Sequence, residues 1–474
     1  SLHDALPIYK FAIESAKVLA TYGIKSYIFE SLRPTPELSF AVRYLKCAGG
    51  IMITASHNPK EHNGYKVYDD TGCQLLPEAA DQVVQYVNEV EDELNIKVFS
   101  DEEAYPYMTW IGEEVDEAYY KEVMAIEVNP GMDKSDFKIV FSPQHGTSNI
   151  AVRTCLTRLG YDLVPVLAQC APDPDFSNTK SPNPEVPASY ELAIKKAKEV
   201  DADVVVITDP DGDRLGVVAK HNGEYVLMSG NQSAAVYLEY ILSQMKEKGT
   251  LPDNAVMYNT IVTSDFGELV ARSYGVDVEK TLTGFKFIGD KIRKYEQTHE
   301  KTFVFGYEES YGCVIKDFVR DKDAVQAVLT AAEAGNFYKK QGKDLVDVLN
   351  ELYAKHGTFK ETQIALSKAG AAGAARIKEI MDNLRKDAPQ EIGGVKVVKV
   401  EDYGNSTCSD GTTIQLPKSN VLKYYLEDGS WIAARPSGTE PKCKFYFSIK
   451  GSDADDAASK TEVFHKAMME IIGE

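Results

Sequence analysis

Short apolar runs alternate with amphipathic, helix-like stretches along most of the chain, and polar loops separate them. Residues 203–208 form a nearly continuous apolar run of strand length, which is typical of a strand buried on both faces. Residues 188–200, just before it, place apolar side chains at helical spacing. Strands that alternate with helices in this way predict a mostly parallel sheet covered by helices.

The alternation recurs in three successive units, and its pattern changes from about residue 361. In the three units we predict strands over residues 27–30, 51–54, 137–142, 161–167, 203–208, 255–259 and 302–305. We predict helices there over residues 11–20, 37–47, 77–93, 114–125, 149–159, 188–200, 265–274, 288–295, 323–340 and 345–355. The last unit reads as strands 395–400, 421–426, 431–434 and 444–449 between helices 374–384 and 457–472. The dipeptide Asn222-Gly223 predicts a hairpin turn.

Composition and charge narrow the class of protein. The chain has 474 residues, 43% of them hydrophobic and 26% charged, which is the profile of a globular protein of several domains. A formal charge of −20 repels nucleic acid and anionic lipid, so neither is expected as a partner. We expect no membrane span, since no apolar run approaches 18 residues. Seven cysteines without CxxC spacing argue against a disulfide framework and favour the cytoplasm.

Ser56 lies in a polar loop, residues 54–59, that directly follows an apolar, strand-like run. Pro59 has no backbone N–H to donate and turns the residue before it away from helical conformation, so we expect a stiff loop. An exposed serine beside His57 and ten residues before Lys66 is a candidate nucleophile or phosphate carrier. The alternative interpretation is an ordinary surface turn.

Three carboxylates at alternate positions follow the strand-like run 203–208: Asp209, Asp211 and Asp213. Two carboxylates about 4 Å apart repel by about 4 kcal/mol at an effective dielectric constant near 20, so the group demands a cation or protonation. Hard oxygen ligands on a compact loop suit Mg²⁺. An EF-hand is excluded, because glycine is fourth in the loop and Lys220 is twelfth. Arg214 beside the carboxylates could bind a phosphate. The alternative is an acidic surface turn.

Another acidic loop follows the predicted strand 302–305. It carries Glu308, Glu309 and Ser310 between two glycines. Carboxylates and a hydroxyl are suitable partners for sugar hydroxyl groups. The alternative interpretation is an acidic loop without a ligand.

The segment 435–441, Arg-Pro-Ser-Gly-Thr-Glu-Pro, also follows a strand-like run. The guanidinium of Arg435, the hydroxyls of Ser437 and Thr439 and the backbone N–H groups around Gly438 could form an anion cradle. Lys442 and Lys444 add positive charge. The chain has no GxxxxGK[ST] loop, no GxGxxG after a strand and no GxSxG around Ser56, so a nucleotide P-loop, a dinucleotide site and a hydrolase elbow are not expected.

Together these stretches resemble the α-D-phosphohexomutase superfamily, in particular its bacterial phosphoglucomutase/phosphomannomutase type. The matching motifs occur in the family's order: TASHNP with NGYK, DPDGDR, GYEES and RPSGTEP. GFKFIGD and the run 312–324 are similar as well, and the resemblance covers nearly all of residues 9–474. It implies an α/β protein of three related mixed α/β domains around a cleft, with a smaller C-terminal α+β domain.

The resemblance also implies a role for each motif. Domain boundaries are expected at 1–130 (phosphoserine), 131–250 (metal loop), 251–360 (sugar-binding loop) and 361–474 (phosphate binding). Ser56 would carry the phosphate and, with Asp209, Asp211 and Asp213, hold one Mg²⁺. Arg214 would contact that phosphate, and His57 and Lys66 would be the acid/base candidates. Glu308 and Ser310 would bind sugar hydroxyls. The substrate's other phosphate would be held by Arg435, Ser437, Gly438 and Thr439, with Lys286 nearby.

The implied reaction converts glucose 1-phosphate to glucose 6-phosphate, with glucose 1,6-bisphosphate as intermediate and activator. Lys66 would move the proton if neighbouring positive charge lowered its pKa. Mannose or pentose phosphates remain alternative substrates, and binding of a sugar phosphate without turnover is an alternative function. The oligomeric state is not readable from the sequence.

One family motif is not found. The superfamily carries a Gly-rich, Arg-containing segment (GTxGxRG) before the serine motif, and the 55 residues that precede Ser56 contain none. We therefore expect an N-terminally truncated chain whose first domain lacks one strand and one arginine.

Overall fold

The computed structural model describes residues 7–438 and 441–474, and they divide into two units. The N-terminal unit contains the described residues up to Asn259, with Tyr274–Glu279 and Gly284–Val348. The C-terminal unit contains Thr260–Ser273, Lys280–Thr283 and Leu349–Glu474. None of the helices in the described part of the chain combines the length and the apolar composition needed to cross a membrane.

The first stretch of the chain forms two small sheets. Its elements are α1 (Pro7–Thr21), β1 (Ser26–Phe29), α2 (Thr35–Tyr44), β2 (Gly49–Ile53), β3 (Tyr65–Asp69), α3 (Pro77–Asn88), α4 (Asp101–Ala104), β4 (Met108–Ile111) and α5 (Glu113–Met124). β1 pairs in parallel with β4, and β2 pairs antiparallel with β3. The sequence did not predict β3, because Lys66 and Asp69 make this stretch polar. Ser56 therefore lies in the connection of a β-hairpin, and the expectation of a further strand in this domain stays a prediction.

The second stretch contains a five-stranded mixed sheet. Its elements are β5 (Lys138–Ser142), α6 (Ser148–Arg158), β6 (Asp162–Pro165), α7 (Glu191–Val200), β7 (Val204–Thr208), β8 (Leu215–His221), β9 (Glu224–Met228) and α8 (Gly230–Glu247). The strand order is β6-β5-β7-β8-β9, and only the first three strands are parallel. β7 is buried along its whole length, and Asn222-Gly223 forms the predicted hairpin turn. Helix α8 was missed, because its first turn reads Gly-Asn-Gln-Ser, which are weak helix formers.

The third stretch has a sheet of order β11-β10-β12-β13. Its elements are β10 (Ala255–Thr260), α9 (Asp265–Ser273), β11 (Asp277–Thr281), α10 (Phe285–Thr298), β12 (Thr302–Tyr307), β13 (Cys313–Val314), α11 (Ala324–Lys339) and α12 (Leu345–His356). The prediction placed Lys286 in a loop, but α10 begins earlier than predicted and contains Lys286 in its first turn. Gly284 before it has φ of 115°, a conformation that disfavours any side chain.

The last stretch folds around one larger sheet. Its elements are β14 (Thr358–Ser367), α13 (Gly370–Lys386), β15 (Glu391–Ile392), β16 (Val395–Asp402), β17 (Thr407–Cys408), β18 (Leu422–Leu426), β19 (Trp431–Pro436), β20 (Lys442–Gly451) and α14 (Ala454–Ile472). The strand order is β14-β20-β19-β18-β16-β15, and α13 and α14 pack their apolar faces on the sheet. Strand β14 was missed, because it is an edge strand rich in polar residues.

One lysine is fully buried in the C-terminal unit. The ammonium of Lys423 donates to the carbonyl of Ile261 at 2.8 Å and lies 3.8 Å from the centre of the Trp431 ring. Burial, together with the charge of Lys280, lowers the pKa of Lys423 to about 7. In the unfolded chain the ammonium group of Lys423 loses its proton only at a much higher pH, near the ordinary pKa of lysine. The contribution of Lys423 to stability therefore increases with pH between about 7 and 10, where this lysine is protonated more fully in the unfolded state than in the folded state.

We predict that the free energy of unfolding of the wild type, relative to that of Lys423→Met, increases by about 2–3 kcal/mol between pH 7 and pH 9.5. The size follows from about 1.4 kcal/mol per unit of pKa difference between the folded and unfolded states. Urea unfolding followed by Trp431 fluorescence, in a Trp110→Phe background, measures this difference. Lys466→Met on the exposed face of α14 is the matched control. A difference that stays constant with pH for Lys423→Met would contradict the buried-charge explanation.

Candidate active site

The hairpin between β2 and β3 presents Ser56 in a constrained conformation. Ser56 has φ of 53°, in the left-handed region that residues other than glycine adopt rarely. Its backbone N–H donates to the hydroxyl of Thr54 at 2.8 Å. Its own hydroxyl donates to Oδ2 of Asp209 at 3.0 Å and lies 3.2 Å from Nδ1 of His57. The structure thus brings the predicted serine to the predicted metal loop.

The three carboxylates of the metal loop, residues 209–213, are buried together. Asp209, Asp211 and Asp213 are at most 3% exposed, and one oxygen from each lies within 4.8 Å of the others. Oδ1 of Asp209 accepts the backbone N–H groups of Asp213 and Arg214, each at 3.0 Å. Among the described residues, Oδ1 of Asp211 and Oδ1 of Asp213 accept no hydrogen bond. Unpaired buried carboxylate oxygens are costly, so these atoms are suited to a metal ion.

Three helix N-termini hold the backbone of the metal loop. The N–H of Thr35 at the start of α2 donates to the carbonyl of Asp211 at 2.8 Å. The N–H of Thr147 before α6 donates to the carbonyl of Pro210 at 2.8 Å, and that of Ala324 at the start of α11 to the carbonyl of Gly212 at 3.1 Å. The first N–H groups of a helix lack partners inside the helix, and its N-terminus favours negative charge. The loop therefore lies where three helix dipoles stabilise its carboxylates.

Two lysines supply positive charge next to the loop. The ammonium of Lys66 lies 3.0 Å from Oδ2 of Asp211 and 3.6 Å from Oδ2 of Asp213. The ammonium of Lys322 lies 3.3 Å from Oδ2 of Asp213 and 3.6 Å from Oε2 of Glu308. Sequence reasoning missed Lys322. It lies in the run 312–324, to which no role was given, and its position there inside an Arg-Asp-Lys-Asp series was the available signal.

The charges of the site shift the pKa values of its groups in opposite directions. Burial and the carboxylates of Asp211 and Asp213 raise the pKa of Asp209. Burial alone would raise the pKa of Asp211, but Lys66 holds it below its usual range. Burial, with the charge of Arg214, lowers the pKa of His57 to about 4, so this imidazole is neutral at pH 7.

Lys66 does not have the lowered pKa that was expected of it as a base. Burial by itself would lower its pKa, but the carboxylates of Asp211 and Asp213 outweigh burial and raise it. The positive charge expected to lower it is outweighed by the acidic neighbours. In the metal-free protein Lys66 is therefore an ammonium ion that balances the metal loop.

Arg214 lies at the end of the metal loop and is anchored on both sides. Its backbone N–H donates to Asp209, and its Nη1 donates to Oε1 of Glu185 at 2.7 Å. The side chain of Arg214 is 13% exposed. Glu185 is a further site residue that sequence reasoning missed, since it comes from the long Pro-rich loop before α7.

The predicted sugar-binding loop joins the same region. Oε1 of Glu308 accepts the N–H of Gly284 at 2.9 Å, just before the helix that carries Lys286. The carbonyl of Tyr311 accepts the N–H of Leu215, the residue after Arg214, at 2.9 Å. Ser310 lies between these two anchored positions. The structure therefore connects the loop both to the metal loop and to the first turn of α10.

The predicted phosphate cradle belongs to the C-terminal unit. Arg435 lies in β19 opposite Lys444 of β20, so two cationic side chains share neighbouring strands. The N–H of Ser437 donates to the carbonyl of Lys442 at 2.8 Å. Gly438 is exposed, and Thr439 lies outside the described residues.

Comparison with protein families gives matches along most of the chain. Four models of the phosphoglucomutase/phosphomannomutase family match: alpha/beta/alpha domain I at residues 8–94, domain II at 117–223, domain III at 229–356 and the C-terminal domain at 374–466. They confirm the expectation of three α/β domains followed by a different C-terminal domain.

Individual proteins agree with these matches. The phosphoglucomutase of Staphylococcus epidermidis (strain RP62A) is 39% identical over 459 residues, which cover 95% of this chain and 82% of that protein. The phosphoglucomutase of Staphylococcus aureus (strain MRSA252) is 39% identical over 458 residues, or 95% and 81% of the two chains.

Solved structures share the fold at lower identity. A putative phosphomannomutase from Thermus thermophilus has a TM-score of 0.71 at 21% identity and covers 98% of this chain and 87% of that one. The open form of parafusin, a phosphoglucomutase from Paramecium, has a TM-score of 0.72 at 20% identity, with coverage of 98% and 86%.

We predict that Lys66→Met costs about 3–5 kcal/mol of unfolding free energy without metal, because it leaves a buried carboxylate uncompensated. In the Asp211→Asn background the same change should cost clearly less, since the charge it balances is gone. Denaturant unfolding of the four proteins in EDTA measures the difference. Lys60→Met, which removes an exposed ion pair with Asp175, is the matched control at below about 1 kcal/mol. Equal costs for Lys66→Met and Lys60→Met would contradict the prediction.

Proposed function

Because the chain belongs to the phosphoglucomutase/phosphomannomutase family of the α-D-phosphohexomutase superfamily, we propose that it interconverts glucose 1-phosphate and glucose 6-phosphate through a phosphorylated Ser56. The observation that carries this proposal is the hydrogen bond from Ser56 to Asp209, which places the serine hydroxyl against three buried carboxylates. The glucose phosphates are proposed because relatives 39% identical to this chain are named phosphoglucomutases.

The residues of the metal loop fit Mg²⁺. Asp209, Asp211 and Asp213 offer hard oxygen ligands, and two of their buried oxygens accept no hydrogen bond among the described residues. With the oxygen of Ser56 or its phosphate they would hold one Mg²⁺ per chain. When bound, the ion would supply positive charge that offsets the phosphate of about −1.5 to −2 on Ser56.

The reaction is proposed as two phosphoryl transfers. In the first, the bond between phosphorus and Oγ of Ser56 breaks, and phosphorus bonds to the free hydroxyl of the sugar, which gives glucose 1,6-bisphosphate. The sugar then presents its other phosphate: the bond between that phosphorus and the sugar oxygen breaks, phosphorus bonds to Oγ of Ser56, and the sugar oxygen is left as a hydroxyl. Such transfers depend on positioning and charge stabilisation more than on covalent chemistry. Arg214, anchored by Glu185 and Asp209, would contact the phosphate that is transferred.

Two groups beside Ser56 are suited to the proton movements. His57 is neutral at pH 7 and lies 3.2 Å from the Ser56 hydroxyl, so its imidazole can accept a proton. Lys66 is an ammonium ion in the metal-free protein, so it can donate one. We therefore assign the acid/base roles to His57 and Lys66. The attacking hydroxyl loses its proton to this pair as its new bond to phosphorus forms.

Sugar and phosphate recognition is assigned to the remaining motifs. Glu308 and Ser310 would bind sugar hydroxyls, with Lys286 nearby. The phosphate that does not react would be held by Arg435, Ser437, Gly438 and Thr439. The four roles divide among domains proposed at residues 1–130, 131–250, 251–360 and 361–474.

We predict that Ser56→Ala lowers conversion of glucose 1-phosphate to glucose 6-phosphate by more than about a thousandfold, because it removes the group that carries the phosphate. The assay contains Mg²⁺ and trace glucose 1,6-bisphosphate, and a coupled dehydrogenase detects glucose 6-phosphate. Ser135→Ala, in an exposed loop, is the matched control and should keep full activity.

Undiminished turnover by Ser56→Ala would contradict the proposal. Faster turnover of mannose 1-phosphate than of glucose 1-phosphate by the wild type would replace glucose with mannose as the substrate. Binding of glucose 1-phosphate without any turnover by the wild type would instead favour a sugar-phosphate-binding protein.

A further inference from the structure

We propose that Thr35, at the start of α2, is a positioning residue for the metal site: it holds one oxygen of Asp211 and so turns the other toward the metal ion. The inference rests on the metal site proposed above and adds a residue to it from a distant part of the chain. Thr35 belongs to none of the four motifs around Ser56, Asp209, Glu308 and Arg435.

The geometry of the Asp211 carboxylate is asymmetric. Its Oδ2 accepts the hydroxyl of Thr35 at 3.1 Å and the ammonium of Lys66 at 3.0 Å. Its Oδ1 is buried and accepts no hydrogen bond among the described residues. Two donors on one oxygen and none on the other fix the rotation of the carboxylate. The oxygen without a donor is therefore the one presented as a metal ligand.

Thr35 is itself held rigidly. It is fully buried, and its backbone N–H donates to the carbonyl of the same Asp211 at 2.8 Å. Proline residues flank it on both sides and restrict the backbone. Just before them, Arg33 makes a two-pronged ion pair with Asp116 of α5, at 2.6 and 2.7 Å. A Thr hydroxyl fixed in this way holds Asp211 with little loss of side-chain entropy.

The metal loop packs closely against the residue before Thr35. A Cβ atom on Gly212 would lie 2.8 Å from Cβ of Pro34, which leaves no room for a side chain there. The start of α2 and the metal loop are thus in direct contact along both backbone and side chain. The position of α2 and the orientation of Asp211 are therefore coupled.

The two donors on Oδ2 contribute differently. Lys66 lies at the end of a flexible four-carbon chain and is also near Asp213, at 3.6 Å, so it can follow either carboxylate. Among the described residues, the hydroxyl of Thr35 is hydrogen-bonded to Asp211 alone. When a residue that hydrogen-bonds to a metal ligand and orients it is removed, the affinity for the metal typically falls 10–100-fold.

The test measures Mn²⁺ binding by the full, unphosphorylated chain without sugar, from the electron paramagnetic resonance signal of free Mn²⁺. Thr35→Val removes the hydroxyl and keeps the shape and the backbone N–H, and it should raise the Kd for Mn²⁺ about 10–100-fold. Thr35→Ser retains the hydroxyl and should restore a Kd near that of the wild type. Thr35→Ala serves as a second variant without the hydroxyl if the valine is not accommodated.

The matched control is Thr461→Val. Thr461 is buried in α14, and its hydroxyl donates to the carbonyl of Ala457 one turn earlier in the same helix, at 2.7 Å, not to a residue of the metal loop. This variant should bind Mn²⁺ like the wild type. Circular dichroism establishes that each variant is folded before binding is measured.

Wild-type affinity in Thr35→Val and Thr35→Ala would overturn the proposal. Equal losses in Thr461→Val and Thr35→Val would also overturn it, because the general effect of removing a buried threonine hydroxyl would then explain both. A wild type that binds no Mn²⁺, while it still converts glucose 1-phosphate, would overturn the metal site together with the role of Thr35 and leave the proposed reaction standing. In the supported case, excess metal should restore kcat in Thr35→Val.

Discussion

The repulsion among Asp209, Asp211 and Asp213 is the constraint on which the rest of the site depends. Three carboxylates that are at most 3% exposed cannot stay ionised together unless positive charge lies close to them. Lys66, Lys322 and backbone N–H groups supply positive charge next to the loop. Two of the carboxylate oxygens still accept no hydrogen bond among the described residues. A divalent cation would complete this balance, and the same cation would offset the charge of a phosphate on Ser56.

The groups that stabilise the loop come from segments far apart in the chain. The first N–H groups of α2, α6 and α11 bind the carbonyls of three successive loop residues, and each helix comes from a different α/β unit. The three α/β stretches thus contact one another at the metal loop, inside the N-terminal unit of the structure. The carboxylates of the loop are therefore stabilised only when the three surrounding helices are correctly folded.

Much of the fold and of the candidate site could be predicted from sequence, because the signals were local. The buried strand before Asp209, the hairpin at Asn222-Gly223 and the loop motifs are each encoded within a few residues. Among the elements that were not predicted, β3 depends on tertiary packing: Lys66 makes it polar because this lysine faces carboxylates more than 140 residues away. Segments far apart in the chain also produce the raised pKa of Lys66 and the contacts of Lys322, Glu185 and Thr35. No local sequence pattern could predict them.

The central claim is that Ser56 carries the phosphoryl group in front of the metal loop. Its most direct test is incubation of the full chain with glucose 1,6-bisphosphate labelled with ³²P, with and without Mg²⁺, followed by peptide mapping. If Ser56 carries the phosphoryl group, label appears on the peptide that contains Ser56 and is transferred to unlabelled glucose 1-phosphate, and both steps depend strongly on Mg²⁺ and on an intact Asp211. Label on another residue, or transfer of the label in Ser56→Ala, would contradict it.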